Sequence, residues 1–342
     1  MKYVYVLTSS EDDLYYEQFF LSVTSLRLYN PNAVIVVLVD SKTKGGLTGK
    51  RSGYIQTVSE TISITAPPEL LQKEVSRWIK TSMKKYVTGD FLYIDCDTIV
   101  AGNLDIDFPT EIKIGAIMDT HVPLSKHHLA AHFEQEDGRL KFNSSFETGI
   151  RYNGGVIFCR DTPEADEFFS RWHSLWLFSN KNGNSQDMPA LNQANYEMGG
   201  LITELDGKWN CHITYNGLPF LFDAKIIHYI ATAFDFIDCP FLPASRDVLF
   251  SVKETGHILP GTMELLKNPK SAFESNSRII SDKAGFDVIN SRMFLLLIAL
   301  RKKKPRLFKS LNSFIIWLRY NPLIKKLYRR PRIENLPGNE SL

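Results

Sequence analysis

Apolar runs of strand length alternate with segments of helical spacing over the first part of the chain. Tyr3–Leu7, Ala33–Val39 and Phe91–Val100 are rich in β-branched and aromatic residues, a pattern that predicts buried strands. Leu14–Tyr29 and Glu69–Val87 lie between them and carry apolar residues at helical spacing. This alternation predicts an α/β fold, with right-handed crossovers and a mainly parallel mixed sheet flanked by helices.

Later segments extend the same pattern. Ile114–Met118, Tyr152–Cys159 and Lys225–Ile230 predict further strands, and Pro163–Phe178 predicts an aromatic-rich helix. Lys42–Gly53 is rich in glycine and lysine and predicts a loop.

Two carboxylates follow the four apolar residues Phe91–Ile94, at the carboxyl end of the predicted strand. In a strand, positions two apart face the same way, so Asp95 and Asp97 are expected to point at one ligand. In a parallel sheet, ligands bind beyond the carboxyl ends of the strands. Two oxygen donors at such an edge form a half-site for Mg²⁺ or Mn²⁺. The alternative is that one aspartate caps a turn and the other is solvated.

Histidines offer two ways to complete a metal site. His228 lies alone in the Lys225–Ile230 run and is a candidate third ligand from a distant strand, although a buried structural histidine has the same pattern. His128 and His132 are four residues apart and could chelate a metal on a helix. They have no third ligand nearby in the sequence, so a polar helical face explains them better.

Composition indicates a soluble protein of a reducing compartment. Of 342 residues, 44% are hydrophobic and 23% charged, values that are ordinary for a globular chain. The four cysteines are far apart, which argues against a disulfide framework and against a zinc ribbon. The first apolar run is too short for a signal peptide.

The net charge of +2 hides a basic C-terminal segment. Residues 288–333 hold thirteen Lys and Arg and no Asp or Glu, which leaves −11 for the rest of the chain. Apolar and aromatic residues alternate there with basic clusters, a pattern typical of helices that lie on an anionic membrane surface. Nucleic acid would attract the same charge, but the bulky apolar residues suit lipid better, and we expect no nucleic-acid partner. Helices packed on the body, with solvated basic faces, are the other alternative.

Four motifs, taken in order, resemble one enzyme family. They are the Asp-x-Asp segment Tyr93–Thr98, the Asn-Gly-Gly turn of Tyr152–Val156, the helix start Asp187–Asn192 and the pair His228-Tyr229. The set resembles retaining glycosyltransferases of family 8 and related bacterial polysaccharide and lipopolysaccharide enzymes with the GT-A fold. The resemblance covers roughly residues 1 to 235.

The resemblance implies transfer of a sugar, expected to be a hexose, from a UDP-sugar to a hydroxyl of a glycan or lipid-linked acceptor, with retained configuration. Asp95, Asp97 and His228 would ligate Mn²⁺ or Mg²⁺, which stabilises the leaving diphosphate. Thr8 and Ser9 would line the nucleoside pocket.

The remaining implied residues act on the donor. Arg77 and Lys80 would place positive charge beside the diphosphate. Asn153 and Asp187 would be the catalytic residues that hold the donor sugar, with the Gly154 backbone close to the ligand.

Two positions depart from the family pattern. Met188 stands where the helix start of the family carries Gln, so the amide below the anomeric carbon is missing. The family's Gly-x-x-Lys-Pro-Trp does not follow Tyr229, so its diphosphate-binding lysine is missing too.

We therefore expect a GT-A nucleotide-sugar-binding and catalytic domain over residues 1–235, an irregular or helical extension over 236–290, and a basic amphipathic helical tail over 291–342. Residues 291–332 would bind an anionic membrane surface. The expected location is cytoplasmic, peripheral on the inner face of the cell membrane.

Three other functions fit parts of the pattern. In a haloacid-dehalogenase-like, Mg²⁺-dependent phosphatase, Asp95 would attack phosphorus and Asp97 would act as acid and base. That fold places the motif on its first strand and needs a later acidic pair, which we do not find here. A sugar nucleotidyltransferase would share the fold, but it needs a glycine-rich phosphate loop near the N-terminus, which is missing from this sequence. A non-catalytic, membrane-associated carbohydrate-binding protein is the non-enzyme alternative.

Overall fold

The computed structural model describes residues 1–105, 107–231, 239–274 and 291–320. The chain divides into two compact units, Met1–Ser277 and Arg278–Leu342. The expected domain boundaries at residues 235 and 290 stay predictions. Parts of the predicted extension and tail lie outside the described residues, as do residues 232–238, which come shortly after the His228-Tyr229 motif.

Ten strands form two sheets in the described part of the first unit. They are β1 (Lys2–Leu7), β2 (Val34–Asp40), β3 (Glu60–Ile64), β4 (Phe91–Ile94), β5 (Thr98–Val100), β6 (Ile114–Met118), β7 (Tyr152–Cys159), β8 (Ile202–Glu204), β9 (Cys211–His212) and β10 (Ile226–His228). The large sheet has the order β3-β2-β1-β4-β7-β6-β8, and the small sheet has the order β5-β10-β9.

Most neighbours in the large sheet are parallel. β1 pairs in parallel with β2 and β4, β2 with β3, and β6 with β8. Only β7 runs the other way, between β4 and β6. The predicted class, an α/β fold with a mainly parallel mixed sheet flanked by helices, is confirmed.

The helices of the first unit are α1 (Tyr15–Tyr29), α2 (Ser41–Gly46), α3 (Gln72–Thr81), α4 (Ala130–Leu140), α5 (Ser144–Glu147), α6 (Pro163–Lys181), α7 (Met188–Glu197), α8 (Arg246–Thr255) and α9 (Pro260–Lys267). The second unit contains α10 (Arg292–Lys303) and α11 (Pro305–Tyr320), which contact each other and confirm the predicted C-terminal helices. Within the described ranges, the search for a helix that could cross a bilayer found none.

Alternate residues of β1 serve two cores. Tyr5 and Leu7 pack on the face covered by α1, whereas Val4 and Val6 pack on the face covered by α3, α6 and α7. This follows from the two-residue period of a strand. Aromatic residues of α6 pack in the second core, where Trp172 is fully buried. Such a ring contributes roughly 1.5–3 kcal/mol by leaving water.

The Phe91–Val100 run is two strands and not one, which corrects the sequence-based prediction. β4 ends at Ile94, the chain turns over residues 95–97, and β5 joins the small sheet. The Thr98 hydroxyl donates to the Asp95 carbonyl at 2.8 Å and closes the turn. Asp95 and Asp97 therefore lie together because the chain bends, and not because strand positions alternate.

One other local prediction was wrong, and one strand was missed. The predicted loop Lys42–Gly53 contains α2 and the start of a 3-10 helix over Gly49–Gln56. The carboxylate of Asp40 caps α2 by accepting the backbone N–H groups of Lys42 and Thr43 at 3.0 and 3.3 Å. The strand β3 gave no recognised sequence signal, since three of its five residues are polar.

Acidification is expected to destabilise the fold through His173. This side chain is buried on α6, with Nδ1 2.8 Å from the Thr81 hydroxyl, and burial together with Lys85 lowers its pKa to about 4. An unfolded histidine titrates near about 6.5. Between these values the unfolded chain binds more protons, so stability falls as the pH falls through this window. His173→Gln should lower stability near neutral pH, and its deficit should shrink near pH 5, as measured by urea unfolding.

His132→Gln is the matched control, because His132 is exposed on α4. It should keep the parent's pH dependence. If His173→Gln also keeps it in full, the buried imidazole is not its source.

Candidate functional site

Asp95, Asp97 and His228 meet at the carboxyl end of β4. Antiparallel pairing of β10 with β5 sets His228 opposite Thr98, directly after the turn that carries the two aspartates. One ligand atom of each side chain lies within 4.8 Å of those of the other two. Nε2 of His228 is 3.2 Å from Oδ1 of Asp97. Two carboxylates and an imidazole in this arrangement suit a divalent cation such as Mn²⁺ or Mg²⁺.

Charge compensation governs the ionisation of this trio. Burial raises the pKa of Asp97, but His228 and the N–H of Ala231, which donates to Oδ2 at 2.8 Å, lower it below its usual value. Burial lowers the pKa of His228, but Asp97 raises it above the usual value. The pKa of Asp95 is raised by burial, in spite of the neighbouring Lys80.

A chain of side-chain amides fixes His228 from behind. Nδ1 of His228 lies 2.8 Å from Oδ1 of Asn210, and Nδ2 of Asn210 donates to Oδ1 of Asn153 at 3.0 Å. Nδ2 of Asn153 donates in turn to Asp119 at 2.9 Å. Because the Asn210 amide nitrogen is used on Asn153, its oxygen accepts the Nδ1–H of His228 and leaves Nε2 to face the cavity.

The glycines of β7 allow this close packing. The carbonyl of Gly155 accepts the N–H of Asp95 at 2.8 Å, which ties the turn to β7. A Cβ on Gly155 would lie 2.8 Å from Nδ1 of His228 and 2.9 Å from Oδ1 of Asn153, so the site has no room for it. The Tyr152–Val156 motif therefore reflects a close approach of backbone to the buried polar side chains.

Two cations of α3 face the carboxylates. Nζ of Lys80 lies 3.2 Å from Asp95 and 2.8 Å from Oδ2 of Asp187 at the start of α7. Burial raises the pKa of Asp187, but Lys80 and Arg77 lower it below the usual value, so Asp187 is ionised. Within the described ranges, the Arg77 guanidinium makes no hydrogen bond or ion pair.

The Asn192 side chain fastens α7 to β7. Its Oδ1 accepts the N–H of Tyr152 at 2.7 Å, and its Nδ2 donates to the carbonyls of Tyr152 and Met188 at 3.1 and 2.9 Å. The last residue of the Asp187–Asn192 motif thus holds Asp187 beside Gly154.

A cavity of about 410 Å³ opens over these groups. This is the size of a small-molecule site. Of the residues that the sequence suggested, Ser9 alone is missing from its wall. Those that line it are Thr8, Arg77, Lys80, Asp95, Asp97, Asn153, Gly154, Asp187 and His228. The catalytic, binding and metal roles of all ten stay predictions.

The loop between β1 and α1 forms another wall and is held by a buried ion pair. Arg51 donates from Nε and Nη2 to the two oxygens of Glu17, at 3.1 Å each, and the Glu17 side chain is fully buried. The same guanidinium donates to the carbonyls of Ser10 and Asp13 at 2.6 and 3.0 Å. Ser9 lies within this network and donates from its hydroxyl to Asp13.

Sequence reasoning missed several residues of the site. Asp13, Tyr15, Gln18 and Gln72 line the cavity. The acidic cluster at the carboxyl end of β1 was a usable signal for Asp13, because that end is where such sheets bind ligands. Asp119 had no such signal, since its contact with Asn153 joins segments 34 residues apart.

His128 does not share the predicted polar helical face with His132. It precedes α4 and stacks on His127 and Tyr215, with ring centroids 4.7 and 5.2 Å apart. Among the described residues, the one cluster of three potential metal ligands is that of Asp95, Asp97 and His228.

Part of the chain matches a known protein family. Residues 84–233 match the family model described as glycosyl transferase family 8. The matched segment contains the Asp95–Asp97 turn, β7, the start of α7 and His228. This match favours a glycosyltransferase over the phosphatase alternative. Comparison with curated protein sequences gave no significant match.

Several solved glycosyltransferases are similar in structure. The galactosyltransferase LgtC, in complex with donor and acceptor sugar analogs, is 14% identical over 78% of this chain and 100% of that chain, with a TM-score of 0.49. Mouse xyloside xylosyltransferase 1 in its apo form is 13% identical over 68% of this chain and 98% of that chain, with a TM-score of 0.45. The glycosyltransferase GlyE of Streptococcus pneumoniae TIGR4 is 20% identical over 82% of this chain and 67% of that chain, with a TM-score of 0.46.

Gly155→Ala is expected to destabilise the protein by about 1–3 kcal/mol, because its methyl group must displace His228 or Asn153. Gly138→Ala is the matched control. It lies on α4, where a Cβ would come no closer than 3.9 Å to Phe146, so it should be neutral or stabilising by up to about 1 kcal/mol. Urea unfolding measures both. Equal effects of the two substitutions would contradict the close packing at Gly155.

Proposed function

We propose that the protein moves a hexose from a UDP-sugar to a hydroxyl of a glycan or lipid-linked acceptor. Residues 84–233 match the model of glycosyl transferase family 8, so the protein is a glycosyltransferase. The reaction would require Mn²⁺ or Mg²⁺ and would retain the anomeric configuration. The observation that carries this proposal is the convergence of Asp95, Asp97 and His228 on one wall of the cavity.

The donor set fits a divalent cation. Asp95 and Asp97 supply hard oxygen ligands, and the amide contact behind His228 directs Nε2 toward Asp97. When bound, the cation would act as a Lewis acid on the departing diphosphate. Ligation requires His228 to be neutral, so its proton must leave when the cation binds.

Arg77 is the proposed partner of the diphosphate. It lines the cavity, and among the described residues it has no competing hydrogen bond or ion pair. A planar guanidinium can donate two parallel hydrogen bonds to a phosphate. It would take over from the lysine that the family carries after the His-Tyr pair. Thr8 would line the nucleoside end, and Ser9 would act indirectly by holding Asp13 in place.

Asp187, Asn153 and the Gly154 backbone would hold the donor sugar. Oδ1 of Asn153 already accepts hydrogen bonds from Gly155 and Asn210, so a sugar hydroxyl would contact Nδ2 of Asn153 instead. This nitrogen lies 3.9 Å from Sδ of Met188. Asp187 is ionised and lies beside Gly154, where its negative charge would stabilise a cationic anomeric carbon.

In the proposed step, the bond between the anomeric carbon and the diphosphate oxygen breaks, and the electron pair stays on the diphosphate. The acceptor oxygen forms its bond to the anomeric carbon on the same face, and its proton passes to the leaving diphosphate. Because Met188 replaces an amide, Asp187 is the anionic side chain proposed to stabilise the transition state.

We expect the purified protein to release nucleotide from a UDP-sugar only when Mn²⁺ or Mg²⁺ is present, in a screen across UDP-sugars. Asp97→Ala and the near-isosteric Asp97→Asn should lower the rate at least about 100-fold, because a bound Lewis acid stabilises the transition state by several kcal/mol. Asp247→Asn, an exposed carboxylate on α8, should match the parent. Turnover that survives a chelator, or a phosphatase activity abolished by Asp95→Asn, would refute the proposal.

We also propose that the C-terminal helices bind an anionic membrane surface, which would place the enzyme on the inner face of the cell membrane, near a lipid-linked acceptor. Large apolar side chains of α10 and α11 are exposed, among them Met293, Leu296, Leu307, Phe314 and Trp317. Six basic residues lie close by, at positions 301–304, 306 and 309. Apolar burial together with charge attraction is how interfacial helices bind lipid.

Removal of the chain from Met293 onward should abolish binding to vesicles with anionic lipid and leave transfer to a soluble acceptor intact. In the full chain, Phe314→Gln combined with Trp317→Gln should weaken vesicle binding by at least about tenfold, since both rings are exposed. Vesicle co-sedimentation measures both. Leu177→Gln, an exposed apolar residue of α6, is the control and should bind like the parent. Undiminished binding by the truncated chain, or tail-dependent binding to RNA without binding to vesicles, would exclude the membrane role.

A further inference from the structure

Lys80 holds two carboxylates of the site at once. Its side chain is 8% exposed, and Nζ lies 3.2 and 3.4 Å from the two oxygens of Asp95 and 2.8 Å from Oδ2 of Asp187. The ring of Tyr93 lies 5.0 Å from the same nitrogen. An ammonium group has three donors, and here they are directed at acidic groups from two separate segments, the turn after β4 and the start of α7.

This arrangement occupies one of the proposed metal ligands. Oδ1 of Asp95 accepts from Lys80 and also from the Tyr93 hydroxyl, and Oδ2 faces Lys80. A divalent cation bound to Asp95 would lie close to the ammonium group and would be repelled by it. Release of the Lys80 contact would therefore make Asp95 a stronger ligand for the cation.

Charge balance indicates when this exchange is favourable. Asp95, Asp97 and Asp187 face the two cations Lys80 and Arg77, so the cavity carries one net negative charge when His228 is neutral. A divalent cation alone would reverse that charge in a buried site. A cation that enters with a UDP-sugar, whose diphosphate carries two negative charges, would leave the balance unchanged.

We propose that Lys80 is a built-in counter-ion, which neutralises Asp95 in the empty site and thereby makes tight binding of the divalent cation conditional on a nucleoside diphosphate. This inference rests on the proposed function. Once the cation and the diphosphate are bound, Lys80 pairs with Asp187 alone and acts as a positioning residue for it.

Arg77 provides the contrast. It lies three residues earlier on the same helix and lines the same cavity, but it makes no ion pair with Asp95 in the part of the chain that the structure describes. The two cations therefore have different proposed roles. Lys80 compensates the protein's own carboxylates, and Arg77 is left to compensate the ligand.

The test is a titration of the protein with Mn²⁺, with and without UDP. The electron paramagnetic resonance signal of the free ion measures how much Mn²⁺ is bound. The parent should bind Mn²⁺ at least about tenfold more tightly with UDP than without it. Lys80→Met should bind Mn²⁺ alone at least about tenfold more tightly than the parent, and UDP should add little. Arg77→Met removes the other cation of α3 and should lose most of the gain from UDP.

The outcomes separate this inference from the proposed function. If the parent binds no Mn²⁺ even with UDP, the metal-dependent function fails and the inference fails with it. If the parent shows the UDP-dependent gain but Lys80→Met binds Mn²⁺ alone no more tightly than the parent, only the counter-ion role is overturned. Lys80→Gln keeps a donor for Asp187 and is measured in the same way if the methionine variant does not fold, as judged by its melting curve.

Discussion

This structure depends on one constraint, the concentration of acidic charge at one edge of the sheet. Asp187 is buried there, and Asp95 and Asp97 are half-buried. Buried carboxylates are stable only when they are paired or hydrogen-bonded. Asp97 is paired with His228, and Asp95 and Asp187 are paired with Lys80. Each partner comes from a different element: β10 supplies His228, and α3 supplies Lys80. The small sheet, the turn after β4 and the packing of α3 and α7 can thus be understood as the scaffold that brings these charges together.

Regular elements with strong apolar patterns could be predicted from the sequence, whereas the details of the site came from tertiary contacts. The runs that form β1, β2 and α1 have unambiguous periods, and their alternation was enough to predict the α/β class. The break inside Phe91–Val100 was missed because Thr98–Val100 is itself apolar and continues the pattern of β4. Nothing local distinguishes a strand that stays in its sheet from one that moves to a neighbouring sheet.

The candidate site shows the same division. Its motif residues could be named because the aspartates, glycines and His228 carry recognisable chemistry, and the structure places nine of the ten suggested residues around one cavity. Their partners could not be named. Asn210 contacts His228 across 18 residues and Asn153 across 57, and Lys80 contacts Asp187 across a still longer separation. Which amide or ammonium group meets which acid is decided by packing, which no spacing rule records.

The Arg51–Glu17 pair has a consequence for how such enzymes diversify. The loop after β1 carries wall residues of the cavity, but the arginine that fixes it comes from a segment 34 residues later than its glutamate partner. A recombination event or a loop graft that moved the first segment alone would bury a glutamate without its cation, which costs several kcal/mol. A change to the loop after β1 would therefore have to keep both halves of this pair, which lie in two separate segments of the chain.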